Sequence, residues 1–255
     1  MDFIVSAVTD IGLTKDTNQD SHNVRVFGSD NGKIVMAILC DGMGGLAKGE
    51  VASASVVSAF CKWADEKLSY YCSQGWPDKD IREDWRGIAM EYNQKIKKYA
   101  DSIGTNMGTT LTAILLTQQK YYIINIGDTR AYEITENIRQ LTGDHTLVAR
   151  EVELGHLSPE DAEIDPRRNV LLQCIGASTD IYPDVFINTV KRGAVYMLCS
   201  DGFRHEVSQV ELYQYLNPGV MLNADGMKRN MEYLVNLNKQ RQERDNISVI
   251  SIRTF

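Results

Sequence analysis

The stretch Lys33 to Gly45, KIVMAILCDGMGG, sets seven consecutive apolar residues, Ile34 to Cys40, directly before an acid, Asp41, with glycines at 42, 44 and 45. An apolar run of that length without a polar face reads as a fully buried strand, so the carboxylate at its end must sit at the rim of a core. The arrangement recurs. YYIINIGDTR puts Asp128 behind an apolar run, VYMLCSDGF ends another on Asp201-Gly202, and RDNISVISI places Asp245 just before a fourth. Any one of these acids reads equally well as turn chemistry. Several together call for more, because carboxylates at the ends of neighbouring strands repel by ~4 kcal/mol at about 4 Å and an effective dielectric near 20. Protonation is one form of compensation. A hard divalent cation held by a few carboxylates and water is another, and it is the Mg²⁺ or Mn²⁺ pattern. The four histidines, His22, His145, His156 and His205, are scattered and offer no zinc spacing.

The glycines fit that reading. Without a Cβ at 42, 44 and 45 the backbone can turn sharply, and the Gly42 carbonyl can itself approach a cation. A glycine-rich loop entering a helix could instead cradle phosphate on backbone N–H groups. The missing GxxxxGK[ST] pattern and the preceding acid weigh against that alternative.

Short β-rich runs dominate the rest of the chain: FIVSAV, TLTAILL, KYYIINIG, RAYEI, VYMLCS and ISVISI. From Lys48 to Leu68 the residues Ala52, Val56, Phe60, Trp63 and Ala64 recur at helical steps. Further helices are expected over 80–100, 145–154, 206–215 and 225–240, and Cys72 to Asp84 reads as a linker-like loop. TLTAILLTQQKYYIINIG and TRAYEITENIRQLT look like successive antiparallel strands joined by short turns. The order favours an α+β fold of antiparallel sheets with helices packed outside. At 255 residues and 43% hydrophobic content, the chain reads as one domain.

A net charge of −7 and the lack of a dense basic block argue against a nucleic-acid partner, and KIKK at 95–98 reads as the solvated face of a helix. Five cysteines, an odd number without a CxxC pair, point to reduced thiols in a cytoplasmic protein. No apolar run approaches the ~20 residues that cross a bilayer, and no export signal opens the sequence, so no membrane partner is expected.

Taken together, DTNQD (16–20), CDGMGG…KGE (40–50), MGTTL (107–111), GDTRAY (127–132), LTGDHT (141–146), CSDGF (199–203) and RDNISVI (244–250) resemble the metal-dependent PPM, or type 2C, serine/threonine protein phosphatases, in their bacterial style. The motifs follow the family's order over nearly the whole chain. The resemblance implies a four-layer α-β-β-α sandwich of two antiparallel sheets, with two divalent cations, Mn²⁺ or Mg²⁺, at one edge. It implies that Asp41 bridges both ions, that the Gly42 carbonyl binds the second, and that Asp201 and Asp245 complete the first. Asp20 would orient metal-bound water. The activity implied is direct hydrolysis of phosphoserine and phosphothreonine on proteins by metal-activated water, with no protein nucleophile, on substrates of a serine/threonine kinase.

The sequence departs from the family pattern at several places. Lys15 stands where the family usually has a phosphate-binding arginine, and it lacks the bidentate fork. Gln19 replaces a glutamate that meets the second metal through water. Met43 and Leu46 occupy positions where many relatives carry a histidine proposed as general acid, which leaves His145 as a weak candidate. A third metal in bacterial relatives uses Asp128 and an acid four residues after Asp201, where this chain has His205. Residues 148–168, rich in Glu151, Glu153, Glu160, Asp161, Glu163 and Asp165 with Arg167 and Arg168, correspond to the mobile flap beside the site. Two readings therefore stand: a phosphatase, or a catalytically weak phosphoprotein-binding module of the same fold.

Overall fold

A computed structural model describes residues 1–29, 32–43 and 48–255. Its strands are β1 (Phe3–Asp10), β2 (Asp20–Ser29), β3 (Gly32–Met43), β4 (Gly108–Thr109), β5 (Leu111–Leu116), β6 (Lys120–Ile126), β7 (Arg130–Ile134), β8 (Ile138–Gln140), β9 (Asp184–Thr189), β10 (Val195–Cys199) and β11 (Ile247–Thr254). They form a five-stranded sheet in the order β1-β11-β10-β7-β8 and a six-stranded sheet in the order β2-β3-β5-β6-β9, with β4 joined to β3. All of the pairings are antiparallel.

The helices are α1 (Gly49–Ser73), α2 (Asp78–Ser102), α3 (Leu147–Glu153), α4 (Pro159–Ile164), α5 (Asp201–Arg204), α6 (Gln209–Leu216) and α7 (Ala224–Gln240). The pair α1 and α2 covers the outer face of the six-stranded sheet, and α6 and α7 cover that of the five-stranded sheet. The expected α-β-β-α sandwich is what the chain forms. No helix of the described residues is long and apolar enough to cross a membrane.

The long apolar run is explained by β3 having a core on each face. Ile34, Met36, Ile38 and Cys40 pack under α1 and α2 with Phe60, Trp63 and Trp85, while Val35, Ala37 and Leu39 point between the sheets. A strand alternates its side chains with period two, so Asp41 continues the inward row of Val35, Ala37 and Leu39. In the opposite sheet β11 alternates the same way, with Ile247 and Val249 turned to α6 and α7 and Ile250 and Ile252 turned between the sheets.

The apolar stripe expected on the first helix is buried along α1 at Ala52, Val56, Phe60, Trp63 and Ala64. The linker expected over 72–84 is a correction. Helix α1 runs on through buried Tyr71 to Ser73, and α2 begins at Asp78, carrying Ile81 and Trp85 into the core. Asp84 ties the two helices together, accepting from Trp63 Nε1 at 2.8 Å and from the Tyr71 hydroxyl at 2.6 Å. The strands β5 and β6 form the expected hairpin, as do β7 and β8, but the two hairpins lie in different sheets. The chain crosses between sheets at Gly127-Asp128-Thr129, which is how Asp128 reaches the same rim as the other acids.

Candidate metal centre

Asp20 and Asp41 lie directly opposite each other across β2 and β3, an arrangement in which like charges destabilise a sheet. Asp201 opens α5 just behind β10, and Asp245 immediately precedes the Asn246–Ile247 entry into β11. Together with Asp128 these acids meet at one end of the sandwich. Lys15, Gln19, Asp41, Gly42, Met43, Thr110, Asp128, Asn169, Leu171, Asp201 and Asp245 line a cavity of ≈ 280 Å³ there. Asp20 sits behind it, buried.

Tight backbone contacts set this geometry. A Cβ on Gly42 would stand 2.3 Å from the Gly49 carbonyl oxygen and 2.6 Å from that of Gln19, so glycine here permits β3 to pack against the start of α1. The Gly42 N–H donates to the Gln19 carbonyl at 3.1 Å. Asp41 is held by its own backbone, donating to Thr110 Oγ1 at 2.9 Å and accepting from the Thr110 N–H at 2.8 Å. A Cβ on Gly202 would lie 2.3 Å from the Asn246 carbonyl oxygen, which shows how closely the Asp201-Gly202 turn is pressed onto Asp245-Asn246. Asn246 completes the lock. Its Nδ2 donates to the Ile11 carbonyl at 2.8 Å and its Oδ1 accepts from the Gln19 N–H at 2.9 Å.

The electrostatics follow from this crowding. Burial pushes the Asp20 carboxyl up to about 7; the Ser248 and Ser200 hydroxyls oppose the rise without closing a hydrogen bond on either oxygen, and repulsion from Asp201 and Asp245 adds to it. Burial also raises Asp41 well above the carboxylate range, with repulsion from Asp20, Asp201, Asp128 and Asp245 behind it. Lys15 is the cation that meets these charges inside the cavity, its Nζ 2.7 Å from Asp245 Oδ1. Burial would lower its proton affinity, and the hydrogen bond and attraction to Asp245, with Asp41 and Asp201 behind, raise it instead.

The donor set suits hard divalent cations: carboxylates and a backbone carbonyl, with no thiol or imidazole lining the cavity among the described residues. Both oxygens of Asp20 and the Oδ1 of Asp201 are buried without a hydrogen-bond partner, a costly state that an ion or its water relieves. Among the described residues no three His, Cys, Asp or Glu side chains already converge on one point. The acids ring a cavity, with Lys15 drawn onto one of them.

The histidines lie elsewhere. His145 lines a neighbouring cavity with Arg150, Glu153 and Tyr182. Its Nδ1 accepts from the Gly127 N–H at 3.1 Å, which places the ring proton on Nε2, facing Asp184 Oδ2 at 3.0 Å. His205 follows Asp201 by one helical turn, so its ring stacks over Asp201, Nε2 to Oδ2 at 3.7 Å, and its Nδ1 faces Glu243 Oε2 at 3.4 Å. His205, expected to share a possible third site with Asp128, pairs in the structure with Asp201 and Glu243. Arg204 is the residue that turns to Asp128. Met43 lines the cavity and brings no proton, and Leu46 lies outside the described residues, as do Gly44 and Gly45.

Sequence reasoning also missed Asn246, Glu243 and Asn169. The first two stand in or next to RDNIS, and Glu243 accepts from the Asp245 N–H at 2.8 Å. Asn169, five residues past α4, lines the cavity with no advance signal in the sequence. The segment 148–168, expected to be a flap, consists of α3, α4 and the turns after them. Its acids are partly paired at short range, Asp165 with Arg167 and Glu151 with His156.

Residues 14–236 match the family described as Protein phosphatase 2C, and the chain belongs to that family. It is 35% identical over 211 residues to the serine/threonine phosphatase stp of Listeria monocytogenes, covering 82% of this chain and 81% of that one. It is 31% identical to the protein phosphatase PhpP of Streptococcus pneumoniae, covering 94% and 99%. Among solved structures, the serine/threonine phosphatase of S. agalactiae superposes with a TM-score of 0.84 at 27% identity, over 99% of this chain and 100% of that one. The catalytic domain of the phosphatase PstP, solved in complex with 2 manganese ions, gives a TM-score of 0.75 at 26% identity, over 98% and 97%.

Proposed function

We propose that the cavity at the end of the sandwich is a two-metal centre that hydrolyses phosphoserine and phosphothreonine on protein substrates, placing the chain among the serine/threonine protein phosphatases of its family. The observation that carries the site assignment is the crowding of Asp20, Asp41, Asp201 and Asp245 around one cavity, with buried carboxylate oxygens left without partners.

Asp41, the Gly42 carbonyl, Asp201 and Asp245 would hold the ions, Mn²⁺ or Mg²⁺, with Gln19 reached through water. Such a pair supplies a water of lowered pKa and neutralises phosphoryl charge. The chain's own residues do the rest. The two partner-free oxygens of Asp20, buried behind the cavity, are hydrogen-bond acceptors suited to orient a water. Lys15 brings a single positive charge to the cavity mouth, where it serves the incoming phosphate as a point charge without a fork. Glu243 and Asn246 fix the backbone that carries Asp245.

Phosphorylated proteins of a serine/threonine kinase are the substrates this reading implies. The test is turnover of a phosphothreonine peptide with Mn²⁺ or Mg²⁺, with and without chelator. Chelator-sensitive release of phosphate is expected; peptide binding without release would instead indicate a phosphoprotein-binding module.

A further inference from the structure

We infer that Arg204 is the resident cation of Asp128 and stands in place of a third metal ion. The inference rests on the two-metal reading above. Asp128 is buried at the crossover between the sheets and lines the cavity. The Arg204 Nη2 lies 4.0 Å from Asp128 Oδ2 and donates to the Asp128 carbonyl oxygen at 3.4 Å. The same nitrogen faces Asp144 Oδ2 at 3.6 Å.

Asp144 is in turn gripped by Arg130, whose Nε and Nη2 donate at 2.8 and 2.6 Å. The guanidinium of Arg204 is thus fixed from a second side, with 15% of its side chain exposed. A guanidinium does not lose its proton in a protein, so its charge is permanent. A divalent ion such as Mg²⁺ on Asp128, bound at about 2.0–2.1 Å, would have this charge as its immediate neighbour.

The side chain expected to supply a second ligand is also engaged by other acids. His205 sits one turn after Asp201 and spans Asp201 and Glu243. Asp128 therefore has one permanent cation, and the one carboxylate that α5 sets in the same cavity, Asp201, is already assigned to the first metal in the two-metal reading. The pair Arg204-His205 divides two tasks: Arg204 balances Asp128, and His205 links the carboxylate of Asp201 to Glu243, which itself holds the Asp245 N–H. Arg204 acts here as a positioning residue.

The test is Mn²⁺ stoichiometry on the metal-stripped chain, read from the electron paramagnetic resonance of free Mn²⁺ during titration. Wild type is expected to bind two ions, and Asp128→Asn the same two. The double variant Arg204→Gln with His205→Asp removes the guanidinium, restores an acid, and is expected to gain a third ion that Asp128→Asn then removes. Three ions in the wild type, falling to two with Asp128→Asn, would overturn the inference and leave the two-metal reading intact. A folded double variant that still binds two would overturn the role of Arg204. Fewer than two ions in the wild type would overturn both readings together.

Discussion

Replacing Asp20 with asparagine isolates the electrostatic cost of the site. Asp20 is buried, neither of its oxygens has a hydrogen-bond partner, and its carboxyl is raised from 3.8 to about 7, chiefly by burial. A carboxyl that binds its proton more tightly in the folded chain costs nothing below the unfolded value. Above it the unfolded chain gives up the proton first, so stability falls as pH rises from about 4 to about 7, then levels off. At about 1.4 kcal/mol per tenfold step in proton affinity, the full rise is worth ~4 kcal/mol. The neighbouring acids titrate with Asp20, so part of the effect belongs to the group, and ~2 kcal/mol is the working expectation for one substitution.

Urea unfolding of the metal-stripped chain, followed by tryptophan fluorescence at about pH 4 and about pH 8, measures this directly. Any packing penalty of the buried amide is present at both pH values and cancels in the difference. Wild type should lose ~2 kcal/mol more stability than Asp20→Asn between the two conditions, and Mn²⁺ at the higher pH should restore stability to wild type. Identical pH dependence of wild type and variant would refute the claim that Asp20 is held as a costly buried acid.

Other substitutions probe separate parts of the account. Gly202→Ala sets a Cβ 2.3 Å from the Asn246 carbonyl oxygen, so the two backbones must part by ~1 Å; a stability loss of ~1–3 kcal/mol and a turnover loss of ~10²-fold are expected from thermal unfolding and steady-state kinetics, and wild-type turnover would contradict it. Lys15→Arg supplies the bidentate fork and should lower KM for a phosphopeptide with kcat nearly unchanged; an unchanged or raised KM would remove Lys15 from the phosphate-binding role. Glu243→Gln weakens the support of the Asp245 backbone and the link to His205, and should weaken Mn²⁺ binding by ~10–100-fold in a titration.

What the sequence revealed depended on where each strand lies. The runs of β3, β5, β6, β10 and β11 are buried on both faces and read as strands at once, and the acids at their ends pointed to the site. By contrast β2, β9 and β8 are edge strands. Their residues, as in DSHNVRVFGS and DVFINT, are mostly half-buried or exposed, and an edge strand keeps polar side chains on view. Their apolar signal is correspondingly thin: β2 and β9 were missed, and β8 was read only as the hairpin partner of β7. Helix α1 was legible from its stripe up to Leu68. Its last turn holds only Tyr71 in the core amid polar residues, so its end and the start of α2 read as loop.

At the site, the residue types were legible and the directions of some were not. Counting four residues from Asp201 reaches His205, yet one helical turn also stacks that ring over Asp201 and hands Asp128 to Arg204. Asn246 and Glu243 support the ligands through backbone contacts that leave no pattern in composition or spacing.

The most direct test of the two-metal assignment is phosphate release from a phosphothreonine peptide by wild type and Asp41→Ala, each in Mn²⁺ with and without chelator. The account predicts that chelator abolishes wild-type turnover and that Asp41→Ala falls by ~10³-fold or more, the loss of several kcal/mol of transition-state stabilisation. Wild-type turnover in Asp41→Ala, or turnover indifferent to chelator, would contradict it.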